Sequence, residues 1–346
     1  MDNKLIIDNR SIGKEFLPFV IAEIGINHEG DLEKAKQMIF DAKKSGAECV
    51  KFQSHVIEDE MIENNVIPAN ANESIWDIMK RCSFSEEEEI ELKKLVEESG
   101  MIYLSTPFSR EAANRLERIG VSAYKIGSGE CNNIPLIKHI VSFGKPVIVS
   151  TGMNDFESIE KTVKILEDAN SEYALLHATS MYPTPYNQVR LDTIKELRRK
   201  FSNAVIGLSD HSYGNYTCFA AVALGASILE KHFTSDKNWK GPDIPISIDP
   251  TELKQLITGS NAIYQSLGGK KSVLDGERKT AEFAYASVVT IKDIKKGENF
   301  SEENIWVKRP GTGEISVEHY YDVLDKKATR DIQKNSQLEW SSIEKE

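Results

Sequence analysis

Two histidines stand where a metal ion could be held. His211 and His232 each close a short apolar run, and the two runs follow one another along the chain. If the runs are neighbouring strands, the imidazoles converge on one divalent cation, because neutral imidazole is a common transition-metal ligand. Glu230 and Asp243 are the carboxylates placed to complete or orient such a ligand shell. The alternative is a pair of hydrogen-bonded core histidines without a ligand.

Two lysines, Lys51 and Lys125, lie near the ends of two other apolar runs. A lysine that points into an apolar interior needs a counter-ion, so two of them indicate a pocket for an anion with phosphate and carboxylate groups. Hydroxyl side chains at further run ends would add donors to this pocket; taken singly, each serine could equally be a helix cap or a turn residue. These residues are Thr106, Ser128, Ser150 and Ser209.

Two glutamates at run ends, Glu23 and Glu130, are candidates for proton transfer or for holding a water molecule. Each could instead form an ion pair with one of the lysines. Glu230 shares a strand face with His232, because side chains alternate along a strand. An unpaired buried carboxylate costs on the order of several kcal/mol, so we expect a cation or a hydrogen-bond donor beside Glu230.

Eight apolar runs of this kind occur before residue 240, and helical patterns lie between most of them. Strands that alternate with helices predict a parallel sheet, and eight such units over roughly 250 residues predict a closed (β/α)8 TIM barrel. Catalytic groups in this fold lie at the carboxyl ends of the strands. The runs are 19–25, 48–54, 101–107, 123–129, 146–152, 173–179, 205–211 and 227–233. The helical patterns are 31–45, 85–99, 109–119, 156–168 and 191–200.

The composition changes after the last helical pattern. A glycine-containing stretch at 267–271 is followed by a charged segment. We therefore predict a catalytic barrel domain over 1–268, a linker over 269–282 and a small β-rich domain over 283–346. Within the last domain, residues 286–290 and the segment from 306 predict short strands.

Charge and cysteine content restrict the class of protein. The formal net charge of −11 disfavours nucleic acid as a partner. The four cysteines have no metal-type or redox-type spacing and are expected to be reduced thiols of a cytoplasmic protein. The chain has no basic-plus-apolar leader, and no apolar run approaches the roughly 20 residues that span a bilayer. We expect small-molecule substrates and no membrane partner.

The motifs at the run ends resemble, in order and almost end to end, those of the bacterial sialic acid synthase family. The tail segment KRPG at 308–311 resembles the antifreeze-like (SAF) domain of that family. The motifs are AEIGINHEG at 22–30, STPF at 105–108, KIGSGE at 125–130, STGM at 150–153, YPTP at 182–185, LSDH at 208–211, EKHFT at 230–234 and GPD at 241–243.

The resemblance implies a transferase reaction. Phosphoenolpyruvate condenses with open-chain N-acetylmannosamine and water to give N-acetylneuraminate and phosphate, through a tetrahedral intermediate that loses phosphate by C–O cleavage. It also implies a divalent cation that activates the sugar aldehyde, with manganese expected and magnesium or cobalt as alternatives. His211 and His232 would bind this cation, with Glu230 in or near its shell.

The same resemblance assigns roles to further residues. Glu23 and Glu130 would act in catalysis together with Lys51 and Lys125. Arg309 would come from the tail of a second subunit, which implies a domain-swapped homodimer. The residues implied to contact phosphoenolpyruvate are Lys51, Thr106, Lys125, Ser128, Ser150, Ser180 and Ser209. Those implied to contact the sugar are Gln53, Asn70, Tyr182, Asp243, Phe283 and Arg309.

The chain departs from the family pattern at a position expected near the phosphate and at two stretches expected near the sugar. Ser180 stands where the family usually has asparagine, and residues 238–240 and 245–247 also differ. The alternative activity is therefore that of an N,N'-diacetyllegionaminate synthase, which uses 2,4-diacetamido-2,4,6-trideoxymannose. A metal-dependent barrel hydrolase or aldolase would leave the two lysines unexplained. A carbohydrate-binding protein without catalysis predicts broken metal or anion ligands, and the change at Ser180 is the one break found.

Overall fold

The structure is a computed structural model and describes residues 3–345. Two compact units are present: the first ends at Leu267 and the second begins at Gly268. Within the described residues, no helix combines the length and the apolar character needed to cross a membrane. All four cysteines are free thiols, and each is buried.

The first unit is a barrel of eight parallel strands, which confirms the predicted fold. The strand order is β5-β4-β3-β10-β9-β8-β7-β6, and the two end strands of this order contact each other. The strands are almost entirely buried because the barrel covers both of their faces, and apolar residues predominate at their beginnings. They are β3 (Phe19–Gly25), β4 (Cys49–Ser54), β5 (Ile102–Pro107), β6 (Tyr124–Ile126), β7 (Val147–Ser150), β8 (Tyr173–Ala178), β9 (Val205–Asp210) and β10 (Ile228–His232), and a hairpin of β1 (Lys4–Ile7) and β2 (Arg10–Gly13) precedes them.

The β1–β2 hairpin, which the sequence analysis missed, closes the amino-terminal end of the barrel. Its apolar side chains Leu5, Ile7 and Ile12 are fully buried. They pack in one cluster with residues at the beginnings of barrel strands, such as Phe19 and Ile228. The hairpin therefore fills the barrel at the end opposite to the predicted site.

Helices surround the barrel and pack against its outer face. All five predicted helices are present. Helix caps agree with the sequence signals: Asp31 accepts hydrogen bonds from the first turn of its helix, and Ser85 forms a capping box with Glu88. The α-helices of this unit are α1 (Leu32–Lys44), α2 (Ile57–Glu60), α3 (Ile75–Cys82), α4 (Glu86–Glu98), α5 (Arg110–Arg118), α6 (Ile134–Val141), α7 (Phe156–Asp168), α8 (Tyr186–Val189), α9 (Thr193–Lys200), α10 (Tyr216–Ala223) and α11 (Pro250–Ser266).

The second unit is small and has a separate apolar core, which includes Val288, Phe300 and Ile305. The two predicted strands are present and pair antiparallel. Residues 275–284, assigned mostly to a linker, instead form a 3-10 turn and a short helix without any buried side chain, so no amphipathic pattern marked them. The elements of this unit are α12 (Arg278–Ala284), β11 (Ser287–Thr290), β12 (Ile305–Lys308) and α13 (Tyr320–Val323).

Candidate active site

A cavity of about 630 Å³ lies at the carboxyl ends of the barrel strands. Most of the predicted site residues line it. They are Glu23, Lys51, Gln53, Asn70, Thr106, Lys125, Ser128, Glu130, Ser150, Ser180, Tyr182, Ser209, His211, Glu230 and His232. Side chains that the prediction did not include, among them Pro68, Phe108, Met153 and Met181, complete the wall.

Two lysine–glutamate pairs form the floor of this cavity. The Nζ atom of Lys51 lies 2.7 Å from Oε2 of Glu23 and donates a 3.0 Å hydrogen bond to Thr106 Oγ1. The Nζ atom of Lys125 donates to Ser150 Oγ at 2.8 Å and to Glu230 Oε1 at 3.2 Å. The cation that we expected beside Glu230 is therefore Lys125, and Glu23 is the ion-pair partner of Lys51.

Burial opposes the charges of this cluster, and at Glu23 it raises the pKa despite the neighbouring Lys51. Burial by itself raises the pKa of Glu230, but Lys125 and Lys51 outweigh this effect and hold it at about 2. Burial also works against the charge on Lys51, but Glu23 and Glu230 raise its pKa. Burial lowers the pKa of Lys125 despite the nearby Glu230. The Oε2 atom of Glu230 lies 4.0 Å from Lys51 Nζ and has no hydrogen-bond partner, which leaves it available to a ligand.

The two histidines face each other above this floor, with ring centroids 5.5 Å apart. Nδ1 of His211 donates to the Thr179 carbonyl at 2.8 Å, which fixes the tautomer of a neutral ring and leaves Nε2 as the acceptor. Burial lowers the pKa of both rings, and His211 lowers that of His232 further. Both imidazoles are therefore neutral, which is the form that binds metal ions.

No three His, Cys, Asp or Glu side chains are gathered closely enough to hold a metal ion within residues 3–345. Glu230, expected in or near a metal shell, is instead bound by Lys125 and by Ser209, whose Oγ donates to its Oε1 at 2.9 Å. However, Nδ1 of His232 is buried without a hydrogen-bond partner, and Asp243 Oδ2 lies 3.7 Å from it. The histidine pair therefore offers two nitrogen ligands to a metal ion.

Glu130 lies on another wall and is not paired with a lysine. Its Oε2 atom is buried without a hydrogen-bond partner, and burial raises the pKa of the carboxyl to about 7. A side chain at Gly127 would collide with this oxygen, so the glycine makes room for it. Glu130 can therefore exchange a proton near neutral pH.

Small polar residues form a niche in the wall of the same cavity. The Gly152 amide donates a 3.0 Å hydrogen bond to Ser128 Oγ. A Cβ atom at Gly152 would collide with the hydroxyls of both Ser128 and Ser180. The Ser180 hydroxyl is buried and has no hydrogen-bond partner among residues 3–345, so this niche presents an unused donor in the cavity wall.

The predicted sugar contacts fall into two groups. Asn70 Nδ2 donates to Asp243 Oδ1 and to the Pro242 carbonyl, both at 3.2 Å, and burial raises the pKa of Asp243 to about 7. These residues lie in the first unit. Phe283 and Arg309 lie in the second unit, and both are exposed.

A hydrogen-bonded chain behind the cavity wall was not predicted. Gln53 Nε2 donates to Glu23 Oε1 at 3.3 Å, and Gln53 Oε1 lies 3.1 Å from His55 Nε2. His55 Nδ1 lies 2.7 Å from Glu60 Oε2. One sequence signal could have indicated this chain. Lys51, Gln53 and His55 occupy every second position, so their side chains are expected on the same face of an extended segment.

A further buried ion pair lies on the outer face of β9 and β10. Lys231 stands between Glu230 and His232 but points the other way, and its Nζ lies 2.6 Å from Asp210 Oδ2. The same carboxylate oxygen accepts hydrogen bonds from Thr217 Oγ1 at 2.8 Å and from Ser212 Oγ at 3.0 Å. We call these four residues the outer cluster, and Glu23, Lys51, Lys125 and Glu230 the inner cluster.

Comparisons with known proteins agree with this geometry. Residues 38–272 match the NeuB family, and residues 285–344 match the SAF domain. An N,N'-diacetyllegionaminic acid synthase from Campylobacter jejuni is 37% identical, over 91% of this chain and 97% of that protein. The N-acetylneuraminate-9-phosphate synthase of Homo sapiens is 31% identical over 95% of this chain and 93% of its own. A solved N-acetylneuraminic acid synthetase from Leptospira borgpetersenii is 35% identical with a TM-score of 0.75, and the alignment covers 82% of this chain and 96% of that one.

Proposed function

The chain belongs to the NeuB family, and from this premise we propose that it condenses phosphoenolpyruvate with N-acetylmannosamine and water to form N-acetylneuraminate and phosphate. It is an enzyme, a transferase of the sialic acid synthase type. The observation that carries the proposal is that one cavity combines two buried lysines with a pair of neutral histidines.

Phosphoenolpyruvate would occupy the floor of the cavity. Lys51 and Lys125 supply positive charge there, and Thr106 and Ser150 lie within hydrogen-bond distance of them. The niche of Ser128, Gly152 and Ser180, together with Ser209, adds hydroxyl donors for the phosphate and the carboxylate. Low dielectric in a buried site strengthens each of these contacts relative to water.

The open-chain sugar would lie above this floor, against Gln53, Asn70 and Tyr182, with Asp243 beyond them. His211 and His232 would hold a divalent cation there, with manganese expected and magnesium or cobalt as alternatives. The neutral rings and the unpartnered Nδ1 of His232 fit such an ion, which would polarise the sugar aldehyde. Because the protein supplies few ligands, substrate and water would provide the others.

The residues can support each bond change. The C3 carbon of phosphoenolpyruvate attacks the aldehyde carbon, and a water adds to C2, which has become cationic. Glu23, which is paired with Lys51 although burial raises the pKa of its carboxyl, would stabilise that cation, and Glu130 would accept the proton of the water. The former aldehyde oxygen takes up a proton and becomes a hydroxyl. The C2 hydroxyl of the tetrahedral intermediate then loses its proton and becomes the ketone as the C2–O bond to phosphate breaks, which releases inorganic phosphate.

Completing the sugar site would require a second subunit in a domain-swapped homodimer. Phe283 and Arg309 would come from the partner's second unit, with Arg309 at the N-acetyl group. A complementation experiment checks this. Lys125→Met and Arg309→Ala chains are each inactive, but co-expression restores up to about a quarter of the activity if Arg309 acts in trans. Restoration fails if Arg309 serves its own barrel, because no mixed dimer then has an intact site.

A second candidate sugar is 2,4-diacetamido-2,4,6-trideoxymannose. The 37% identical relative, an N,N'-diacetyllegionaminic acid synthase, favours it. Ser180, which lines the cavity, departs from the family pattern. So do residues 238–240 and 245–247 on either side of Gly241, and we expect these positions to discriminate between the two sugars.

Phosphate release from phosphoenolpyruvate tests both candidates. With manganese present, we expect a higher kcat/KM for N-acetylmannosamine than for the trideoxy sugar, and loss of turnover after chelation with recovery on metal addition. Preference for the trideoxy sugar would move the chain to the second candidate. Absence of phosphate release with either sugar would refute the proposed function.

A further inference from the structure

We propose that His55 and Glu60, which lie behind the cavity wall, form an imidazolium–carboxylate pair that fixes the orientation of the Gln53 amide. In this role His55 is a positioning residue and does not touch the substrate. The effect on the sugar rests on the proposed function, whereas the charge state of His55 does not.

The argument begins at Glu23, which faces two donors. Lys51 Nζ lies 2.7 Å from Glu23 Oε2, so that oxygen accepts from an ammonium group. The other oxygen, Oε1, faces the Gln53 amide at 3.3 Å. A carboxylate is an acceptor at both oxygens, so Gln53 must present its NH₂ group to Glu23.

The orientation of the amide then determines the protons on His55. With its nitrogen directed to Glu23, Gln53 presents Oε1 to His55 Nε2 at 3.1 Å. A carbonyl oxygen cannot donate, so His55 Nε2 must carry a proton. Nδ1 lies 2.7 Å from Glu60 Oε2, another carboxylate oxygen, and must carry a proton as well. A histidine with both nitrogens protonated is an imidazolium, and Glu60 is its counter-ion.

The surroundings of His55 are consistent with a fixed cationic ring. Its side chain is buried and stacks on Phe108, with ring centroids 4.6 Å apart and planes inclined by 13°. Burial, with a smaller contribution from the charge of His55, lowers the pKa of His28 to about 3, so that ring is neutral. The Glu89 carboxylate on α4 also faces His55, but Arg115 and Ser54 already bind it.

Glu60 connects this pair to a second wall of the site. Burial mainly, and the negative charge of Glu60 in addition, raise the pKa of Glu130. His55 compensates that negative charge at a distance of 2.7 Å. The pair therefore orients Gln53 and also keeps an uncompensated anion away from Glu130.

Gln53 benefits from this arrangement because an amide can rotate by 180° without changing its shape. Its two ends differ only in hydrogen-bonding character, so the neighbours alone select the orientation. Beside an ionised Glu60, a neutral His55 would keep its single proton on Nδ1, would accept at Nε2 and would turn the NH₂ group away from Glu23. The Gln53 amide would then direct its oxygen, instead of its NH₂ group, toward Glu23 in the wall that faces the sugar.

Side-chain ¹H–¹⁵N correlation spectra of the full chain test the charge state directly. We expect both ring nitrogens of His55 to be protonated at neutral pH, with the signal assigned by its loss in His55→Gln. In Glu60→Gln, the ring should lose one proton at the same pH. A neutral His55 ring in the unsubstituted chain would overturn the proposal, whether or not the enzyme turns over.

Steady-state kinetics test the positioning role. Glu60→Gln should raise the KM of the sugar up to about tenfold, because a neutral His55 can hold its proton on either nitrogen and no longer fixes the Gln53 amide, and it should change the KM of phosphoenolpyruvate less than about twofold. Glu58→Gln is the matched control, because it removes the same charge from an exposed position of the same helix, and both KM values should stay within about twofold.

An unchanged sugar KM in a folded Glu60→Gln enzyme, or equal rises for both substrates, would refute positioning of Gln53. If Glu60→Gln does not fold, the ring spectrum of the unsubstituted chain still decides the charge state. If no sugar supports turnover, the proposed function fails, while the spectra continue to test the ion pair.

Discussion

The inner and outer clusters meet at β10, on opposite faces of that strand, and they use buried charge in opposite ways. Glu230 and Lys231 are neighbours in sequence, yet one faces the cavity and the other faces the helices. In the outer cluster, both oxygens of Asp210 and the Lys231 ammonium all have hydrogen-bond partners. In the inner cluster, Glu230 Oε2 has none.

The difference shows how to separate a structural ion pair from a functional one in this barrel. A buried pair with every atom satisfied has no capacity for a ligand, and removing one member leaves an uncompensated charge. A buried cluster that retains unsatisfied oxygens and hydroxyls keeps hydrogen-bonding capacity for something that arrives later. Completeness of hydrogen bonding, rather than burial or charge, distinguishes the two.

Replacing an inner lysine should give the largest effect. Lys125→Met removes a cation from the floor of the cavity, so we expect kcat/KM for phosphate release to fall by at least about 1000-fold. The thermal transition should shift less than in the outer variant described next. Activity within about tenfold of the parent would place Lys125 among structural residues and break the comparison.

Replacing the outer lysine should have the reverse profile. Lys231→Met leaves Asp210 buried and unpaired, so we expect a loss of about 3–5 kcal/mol in barrel stability. The affinity of the remaining folded enzyme for phosphoenolpyruvate should change less than about threefold. Denaturant unfolding and equilibrium binding are the measurements, and Lys161→Met, which breaks an exposed pair, is the control expected to change neither. Loss of binding with unchanged stability would contradict this assignment.

The smallest expected effect is a difference in pH dependence. Burial raises the pKa of Glu130 to about 7, so its contribution to stability is present below its unfolded value of about 4.5 and is lost as the pH rises through about 7. Burial opposes ionisation of Asp210, but Lys231 and the hydroxyl donors outweigh it and lower the pKa, so its contribution persists above its unfolded value of about 3.8.

Thermal unfolding of Glu130→Gln against the parent at pH 5 and pH 8 measures this difference. The variant should gain stability relative to the parent at pH 8 and not at pH 5, since the parent must ionise a buried carboxyl only at the higher pH. Equal differences at the two pH values would remove Glu130 from the groups that titrate near neutrality.

The sequence was sufficient for the parts of the fold that carry a strong pattern. Buried parallel strands are predominantly apolar runs, and the cavity-lining polar side chains stand near their ends, so all eight strands and most of the cavity lining could be predicted. Helices α6 and α10 were missed because they are largely apolar around their circumference and show no clear polar face.

Pairing between distant residues could not be predicted. Nothing in the sequence indicates that Lys125 pairs with Glu230 rather than with Glu130, because the choice depends on which strands are close across the barrel. Likewise, His55 and Glu60 carry no motif of their own, and their role depends on the hydrogen bonds of Gln53. The alternation of strand side chains does indicate that Lys231 points away from Glu230, but not that Asp210 receives it.

The β1–β2 hairpin at the opposite end of the barrel has a kinetic consequence. It closes one end of the ring of strands, so both substrates and both products would share the opening at the other end. The compound that binds nearer the hairpin has to enter first, and whatever forms in its place has to leave last. We therefore expect ordered addition of the substrates and characteristic product-inhibition patterns as a consequence of this short apolar hairpin at the far end of the barrel.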